Sequence, residues 1–277
     1  MQFKFLGTAA YERIPAMFCQ CAACEQARKL GGKNIRSQTQ VLINEDLLVD
    51  FGQDNYLHYL NSGADYTKIK NILITHTHQD HFMPDELCMT TGGMATNDIT
   101  EPIGVWGNQD CADLYATVER NMLCTMHVVA PYDTFQAGRY TVTVLPANHS
   151  DPNALLFIIS DGEKTLLYNN DTGYWDDAAY RFVEENKFRF DCVLSDCTFG
   201  FQDRPAGRSH MSIDNNKVHR QRLLDMGAVA QDTPWIVTHY SHNGMSQDGK
   251  PVSADELERY VAAFGMISAY DGMVFSV

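Results

Sequence analysis

Residues 76–81 combine side chains that bind metal ions. The run His76-x-His78-x-Asp80-His81 places three imidazoles and a carboxylate within six residues, and both groups are common ligands of divalent metals. Because the chain turns after the apolar stretch that precedes them, His76 and His78 can face one ion while Asp80 and His81 face a second. Asp80 can alternatively orient an imidazole without binding metal itself. The segment predicts a metal centre rather than a polar surface loop.

Short apolar strands are expected to position these ligands. Residues 72–74 read as a buried strand that ends directly in the histidine-rich run. Two further candidates follow other predicted strands: His149 after residues 141–145 and Asp171 after 165–168. The strand predicted at 235–237 ends in a stretch that contains His239. Each is weak on its own, but their position at strand ends, in order behind a metal motif, favours metal ligands over loop residues.

Asp50 is a further polar residue at a strand end. Residues 41–43 and 47–49 predict a hairpin, and Asp50 directly follows the second strand. Its carboxylate can support a histidine ligand, or it can cap or turn the segment before a helix predicted over 53–61. The sequence leaves both roles open.

Three clustered cysteines predict a second metal site. Cys19, Cys21 and Cys24 form a C-x-C-x-x-C motif before a helix predicted over 25–30. Three thiolates occupy three corners of a tetrahedral zinc site, and the fourth ligand would come from elsewhere in the chain. Such a site would be structural and would tie an N-terminal zinc loop, at about residues 15–30, to the rest of the protein. A redox pair or three unrelated cysteines are the alternatives.

Composition limits the remaining possibilities. The chain of 277 residues has 44% hydrophobic residues and a net charge of −14, which argues against a surface that follows nucleic-acid phosphates. A small anionic substrate remains compatible, because bound divalent ions reverse the local sign of a pocket. No apolar run of about 18 residues predicts a membrane span. The N-terminus lacks a secretory signal, so we expect a cytoplasmic protein. Because the sequence shows no internal repeat and no linker, we expect a single domain over residues 1–277.

The rest of the chain is predicted to contain further short strands and helices. The remaining strands are predicted at 2–6, 103–106, 128–129, 155–159, 192–194 and 273–275. The remaining helices are predicted at 84–89, 109–121, 175–186, 213–226 and 253–264. In the last of these, Ser253 and Glu256 have the spacing of a capping box.

The order of the candidate ligands resembles that of the metallo-β-lactamase superfamily. The matching residues are the His76–His81 motif, His149, Asp171 and His239, and they extend over nearly the whole chain. The resemblance implies the α/β class, with a four-layer αββα sandwich and the metal site along one edge, where the strand ends meet. It assigns His76, His78 and His149 to one ion and Asp80, His81 and His239 to the second, with Asp171 bridging the two.

Within the superfamily, the chain is similar to the PhnP-type phosphodiesterases of phosphonate degradation. That group uses an N-terminal C-x-C-x-x-C for a structural zinc. The stretch Thr238-His239-Tyr240-Ser241-His242 offers His242 as the fourth ligand, beside Cys19, Cys21 and Cys24. Ser209-His210-Met211 places His210 where the group has a catalytic histidine that binds no metal.

The resemblance implies a metal-dependent hydrolase. We expect a phosphodiesterase in which a hydroxide held by two divalent ions attacks a small or cyclic nucleotide-like phosphate ester. The expected ions are manganese, zinc or iron, with one further structural zinc. His210 is the candidate general acid, and Asp80 is the second catalytic candidate.

Other functions on the same fold stay open. They are a PqqB-like role in cofactor biosynthesis, a thioesterase and, from another class, a metal-stabilised binding module without catalysis. The expected partner is a small-molecule phosphate ester. A membrane and nucleic acid are not expected as partners, and a homodimer is left open.

Overall fold

The described residues include sixteen short strands. The computed structural model describes residues 1–118 and 121–277. Within these ranges the strands are β1 Gln2–Gly7, β2 Gln40–Ile43, β3 Leu47–Val49, β4 Asn71–Leu73, β5 Ile103–Gly107, β6 Cys124–Val128, β7 Thr134–Ala137, β8 Tyr140–Pro146, β9 Leu155–Ser160, β10 Thr165–Asn169, β11 Cys192–Asp196, β12 Trp235–Thr238, β13 Ser246–Gln247, β14 Lys250–Pro251, β15 Met266–Ser268 and β16 Val274–Ser276.

Two seven-stranded mixed sheets contain all of these strands except the small β13–β14 pair. The first has the order β16-β1-β2-β3-β4-β5-β6, and the second has the order β15-β12-β11-β10-β9-β8-β7. Strands β3 to β6 run parallel in the first sheet. Strands β10, β11, β12 and β15 run parallel in the second.

The helices lie against the outer faces of the sheets. They are α1 Ala22–Leu30, α2 Asn55–Ser62, α3 Gln109–Ala116, α4 Asp177–Glu185, α5 Ile213–Asp225 and α6 Ala254–Ala262, with short 3-10 helices at Gly32–Asn34, Tyr66–Lys68, Pro84–Thr90 and His242–Gly244. No helix within the described ranges has the length and apolar character needed to cross a bilayer.

Side chains that alternate between the two faces of each strand form three stacked hydrophobic cores. In β9, Phe157 faces a core between the two sheets, whereas its neighbour Ile158 faces a core that contains Val183 of α4. In β2, Val41 belongs to the core between the sheets, and Leu42 belongs to a third core on the far side of the first sheet. Because successive side chains of a strand point to opposite faces, apolar runs such as these fill cores on both sides. Three cores separate four layers, so the predicted αββα sandwich is confirmed.

Most predicted elements are present with shifted ends. The helix predicted over 109–121 is observed as α3, and Glu119 and Arg120 lie outside the described residues. The capping box of α6 forms as predicted, with the Ser253 hydroxyl accepting from Glu256 N and the Glu256 side chain accepting from Ser253. Strands β7, β13, β14 and β15 are absent from the predicted elements. All four are short; β7 pairs with β8, β15 pairs with β12, and β13 pairs with β14.

The parallel strands of the two sheets bring the candidate site residues to one edge of the sandwich. Asp50 follows β3, His76 follows β4, Asp171 follows β10 and His239 follows β12. Since the carboxyl ends of parallel strands point in the same direction, loops distant in the sequence meet at this edge of the sandwich.

Close backbone contact fixes the histidine-rich loop at this edge. Phe51 N donates to His81 O at 2.7 Å, and Gln53 N donates to Gln79 O at 3.1 Å. Gly52 lies between these bonds, where an added Cβ would be 1.9 Å from the carbonyl oxygen of Asp80. Only glycine allows the two backbones to approach this closely.

Gly52→Ala is therefore expected to destabilise the protein by ~1–3 kcal/mol, because the backbone of the histidine-rich loop must move away. The midpoint of thermal unfolding measures this loss. Gly92→Ala is the matched control, because an added Cβ there meets no atom within 4 Å. Equal midpoints for the two variants would contradict the contact.

Candidate metal centre

The seven predicted ligands of the dinuclear site lie together at the sheet edge. The side chains of His76, His78 and His149 offer nitrogen atoms that lie within 4.8 Å of one another. A second group with the same spacing consists of Asp80, His81, Asp171 and His239. The two groups coincide with the two sets that the resemblance implies.

Asp171 lies between the two groups. Its Oδ2 is 2.8 Å from His81 Nε2 and 3.5 Å from the Nε2 atoms of both His76 and His239. Its Oδ1 is 3.4 Å from His149 Nδ1. The side chain is 3% exposed, so one buried carboxylate is within reach of both groups.

Three residues of the site have left-handed backbone conformations. Their φ angles are 67° at Asp50, 57° at Asp171 and 61° at His239. Residues other than glycine rarely adopt this region, and those that do concentrate at functional sites, where the surrounding structure stabilises them. Each of the three lies at or directly after the end of a strand, where the chain turns sharply to direct a side chain into the site.

Asp50 supports a histidine. Its Oδ2 lies 2.8 Å from His81 Nδ1, and its Oδ1 accepts from Thr75 N at 2.9 Å and from Thr75 Oγ1 at 2.8 Å. This arrangement directs His81 Nε2 into the centre. The N-cap position of α2 is occupied by Asp54, so of the two roles that the sequence left open for Asp50, the structure favours histidine support.

Sequence analysis missed Asp196 as a site residue. Its Oδ2 lies 3.0 Å from His210 Nδ1 and 3.6 Å from His239 Nδ1, and the residue is fully buried. Thr198 Oγ1 donates to the same oxygen at 2.9 Å. The available signal was an aspartate at the end of an apolar strand, as for Asp50 and Asp171.

The predicted catalytic histidine lies beside the two ligand groups. His210 Nδ1 is 3.1 Å from Asp171 Oδ1 as well as 3.0 Å from Asp196 Oδ2. Although burial opposes protonation, the two carboxylates outweigh it and raise the pKa of His210 to about 11. The side chain is 21% exposed and lines the opening described below.

Unsatisfied polar atoms indicate that the centre accommodates a cation. His81 Nε2, His239 Nε2 and Asp171 Oδ1 are buried and form no well-aligned hydrogen bond with the described residues, although buried polar groups are normally paired. Their nearest polar neighbours are other donor atoms of the same centre, such as Asp171 Oδ2 at 2.8 Å from His81 Nε2. Burial holds the pKa of His76 well below its usual value, which keeps this imidazole neutral, as a metal ligand must be. Nitrogen and carboxylate donors suit divalent transition metals, so the residues present fit such ions.

Charge within the centre also favours a cation. Burial alone would lower the pKa of His81, but the carboxylates of Asp80 and Asp50 overcome it and raise this pKa well above the usual value. Despite its burial, Asp80 has a lowered pKa because His81 is adjacent. The negative charge of these carboxylates stabilises a proton on His81, and the same charge would stabilise a metal ion bound among them.

The cysteine motif also lies together with its predicted fourth ligand. Cys19, Cys21, Cys24 and His242 present one ligand atom each within 4.8 Å of one another. His242 Nδ1 is 3.3 Å from Cys21 Sγ and 3.6 Å from Cys19 Sγ. All three cysteines are free thiols. Three sulfurs and one imidazole are a donor set typical of structural zinc.

An opening of about 480 Å³ leads to the ligand groups. Its lining includes His78, His149, His210 and His239, with Tyr11 and Glu12 from the N-terminal loop. A larger cavity of about 670 Å³ lies near Tyr59 and Leu87 and contains none of the candidate ligands. The smaller opening is therefore the candidate active site.

Comparison with known proteins identifies the family. The sequence profile of the beta-lactamase superfamily domain matches residues 43–240, and the chain belongs to this superfamily. The predicted resemblance is thereby confirmed. Metal-dependent hydrolases are typical of the superfamily, and the general function of this chain is that of a superfamily hydrolase with candidate metal sites.

Two solved structures share the fold over the whole chain. A diphosphatase from the PhnP family superposes with a TM-score of 0.73 at 18% identity, covering 100% of this chain and 97% of that chain. Zinc-bound PqqB from Methylobacterium extorquens superposes with a TM-score of 0.75 at 15% identity, covering 100% of both chains. At these identities, the likeness concerns the fold.

A curated relative matches over a shorter segment. Ribonuclease Z from Bradyrhizobium diazoefficiens is 25% identical over 127 residues, covering 44% of this chain and 42% of the relative. The match therefore spans less than half the length of that ribonuclease.

Asp171→Ala is expected to remove at least one metal ion per chain, because it deletes the carboxylate that reaches both ligand groups. Elemental analysis of the purified variant measures the loss. Asp98→Ala, which removes an exposed carboxylate outside the centre, should retain the wild-type metal content. If Asp171→Ala retains every ion, Asp171 is not a ligand.

Proposed function

Because the chain belongs to the β-lactamase superfamily, we propose that it is a metal-dependent phosphodiesterase acting on a small or cyclic nucleotide-like phosphate ester. One observation carries the proposal. Seven candidate metal-binding side chains lie together, and five of them line a single opening. A further histidine, His210, is held between two carboxylates beside them. The cytoplasm is the proposed location.

The geometry supports two ion sites. We assign His76, His78 and His149 to one ion and Asp80, His81 and His239 to the other, with Asp171 shared. Manganese, zinc or iron fits these ligands. Cys19, Cys21, Cys24 and His242 would hold one structural zinc.

Two bound divalent ions supply Lewis acidity towards the phosphoryl oxygens and lower the pKa of water at the centre. The protein orients the ligands that make this chemistry available. Asp50 fixes the ring of His81 through Nδ1, and Thr198 Oγ1 lies 2.8 Å from His239 Nδ1. Asp80, whose pKa is lowered by His81, supplies an ionised carboxylate at the same place.

His210 is the proposed general acid. Its Nδ1 is held by Asp196 and Asp171, and its Nε2 forms no hydrogen bond with the described residues. Because the ring lines the opening, Nε2 is available to donate a proton to the leaving oxygen of the ester. Asp196 is then a positioning residue that fixes the ring through the opposite nitrogen.

A small ester is the proposed partner rather than a polynucleotide. The net charge is −14, and no Lys or Arg is among the residues that line the opening. Proteins that follow a nucleic-acid backbone neutralise phosphates with clustered basic side chains. The described residues that form the opening lack such a cluster.

A PqqB-like role in cofactor biosynthesis is the second candidate. It is favoured by the superposition with zinc-bound PqqB over the whole length of both chains. The experiment below separates the two candidates.

The proposal predicts about three metal ions per chain and hydrolysis of bis(p-nitrophenyl) phosphate that depends on added manganese or zinc. Elemental analysis counts the ions, and p-nitrophenol release measures turnover. Chelator-treated protein is the control and should regain turnover when metal is restored. A full metal complement without phosphodiester hydrolysis would contradict the proposal and favour the PqqB-like role. A single bound zinc without turnover would favour a binding module.

His210→Ala should lower turnover by about 10²–10⁴-fold while the metal content stays unchanged. The loss should be larger for a 2′,3′-cyclic nucleotide than for bis(p-nitrophenyl) phosphate, because an alkoxide needs protonation more than p-nitrophenolate does. Initial rates on both substrates measure the effect. His127→Ala, a histidine stacked on Trp106 outside the centre, should keep wild-type rates. Unchanged turnover in His210→Ala would remove this residue from the mechanism.

A further inference from the structure

The rim of the opening carries a negative charge where a phosphate-binding pocket commonly has a positive one. Glu12 lines the opening together with Tyr11 and Gln79. Sites that bind phosphate dianions usually supply Arg or Lys, and neither residue type is among the lining residues. Glu12 therefore places a carboxylate in the lining of the opening that leads to the candidate metal centre.

The structure holds the Glu12 side chain in place at one oxygen. Its Oε1 accepts a hydrogen bond from Ser241 Oγ and lies 3.9 Å from His242 Nε2. Its Oε2 accepts no hydrogen bond from any described residue. The side chain is 32% exposed, so the second oxygen remains available to repel or bind a ligand.

The neighbouring arginine does not pair with Glu12, whose ion-pair partner among the described residues is His242, with Nε2 3.9 Å from Oε1. Arg13 directs its guanidinium to Asp54, with Nε 2.9 Å from Oδ2 and Nη2 2.9 Å from Oδ1. Such a two-point contact fixes the cation on Asp54. None of the ion pairs formed by the described lysines and arginines involves Glu12.

Backbone bonds fix the segment that presents Glu12. Ala10 N donates to Tyr240 O at 3.0 Å, and Tyr240 N donates to Thr8 O at 2.9 Å. The N-terminal loop is thus paired with the loop after β12, which also contains His239. Glu12 has a defined position beside the metal centre.

We propose that Glu12 is a specificity-determining residue that selects phosphodiester monoanions over phosphomonoester dianions. The inference rests on the proposed phosphodiesterase function and adds the charge class of the substrate. Coulomb repulsion is proportional to the product of the charges, so Glu12 opposes a dianion twice as strongly as a monoanion. Bound metal ions would attract both kinds of ester. The repulsion from Glu12 is what lowers the affinity for the dianion relative to the monoanion.

Glu12→Gln tests the proposal, because the amide oxygen can still accept from Ser241 while the charge is lost. At pH 8, kcat/KM for p-nitrophenyl phosphate should rise about five- to tenfold, mainly through KM, by the Coulomb argument. The value for bis(p-nitrophenyl) phosphate should change less than about threefold by the same argument. Glu185→Gln removes an exposed charge elsewhere and should leave both values unchanged.

Binding provides a readout that does not depend on turnover. Titration calorimetry of the metal-loaded protein compares inorganic phosphate with dimethyl phosphate, and Glu12→Gln should tighten the binding of phosphate more than that of dimethyl phosphate. The difference in preference between the wild-type protein and Glu12→Gln should decrease as salt screens the rim charge. Comparing the two proteins at each salt concentration cancels the screening of the metal centre, which both proteins share.

The outcomes separate the two hypotheses. If the wild-type protein hydrolyses neither ester, the proposed function fails, and the binding series still decides the role of Glu12. An unchanged preference in Glu12→Gln would overturn the inference. So would a preference lost equally in Glu12→Asp, which keeps the charge, or a difference between the wild-type protein and Glu12→Gln that does not respond to salt.

Discussion

The buried carboxylate of Asp171 contacts imidazoles from four separate loops. His81, His149, His210 and His239 each place a ring nitrogen within 3.5 Å of it. A buried charge is costly unless it is compensated, so these loops can pack together only if they surround the carboxylate with partners. The burial of Asp171 thereby couples the assembly of the sandwich edge to the arrangement of donors that a metal centre needs.

The two sheets support this carboxylate in corresponding ways. From the first sheet, Asp50 binds the Thr75 hydroxyl and holds His81. From the second, Asp196 binds the Thr198 hydroxyl and holds His210. Each aspartate lies at the end of a strand and fixes the Nδ1 side of an imidazole, which directs the opposite nitrogen inward. The reactive side chains are therefore oriented by the rigid sheets rather than by the loops alone.

The loop after β12 joins the two candidate metal sites. His239 belongs to the dinuclear group, and His242, three residues later, belongs to the cysteine cluster. Glu12 contacts the same loop through Ser241. A zinc held by the cysteines and His242 would fix the N-terminal loop beside the opening. The structural site would thereby determine that Glu12 lies in the lining of the candidate active site.

The sequence alone determined the local features: the strand before His76, the clustered histidines and cysteines, and the alternation that fills cores on both faces of each sheet. These depend on side-chain type and on spacing over a few residues, which the chain specifies directly. The roles of Asp50 and Asp196 and the position of Glu12 depended on the tertiary structure. Their partners lie tens to hundreds of residues away, and only the order of the strands within each sheet brings those strand ends together. An aspartate at a strand end has the same local sequence whether it faces solvent or an imidazole, and the packing of the two sheets decides which it meets.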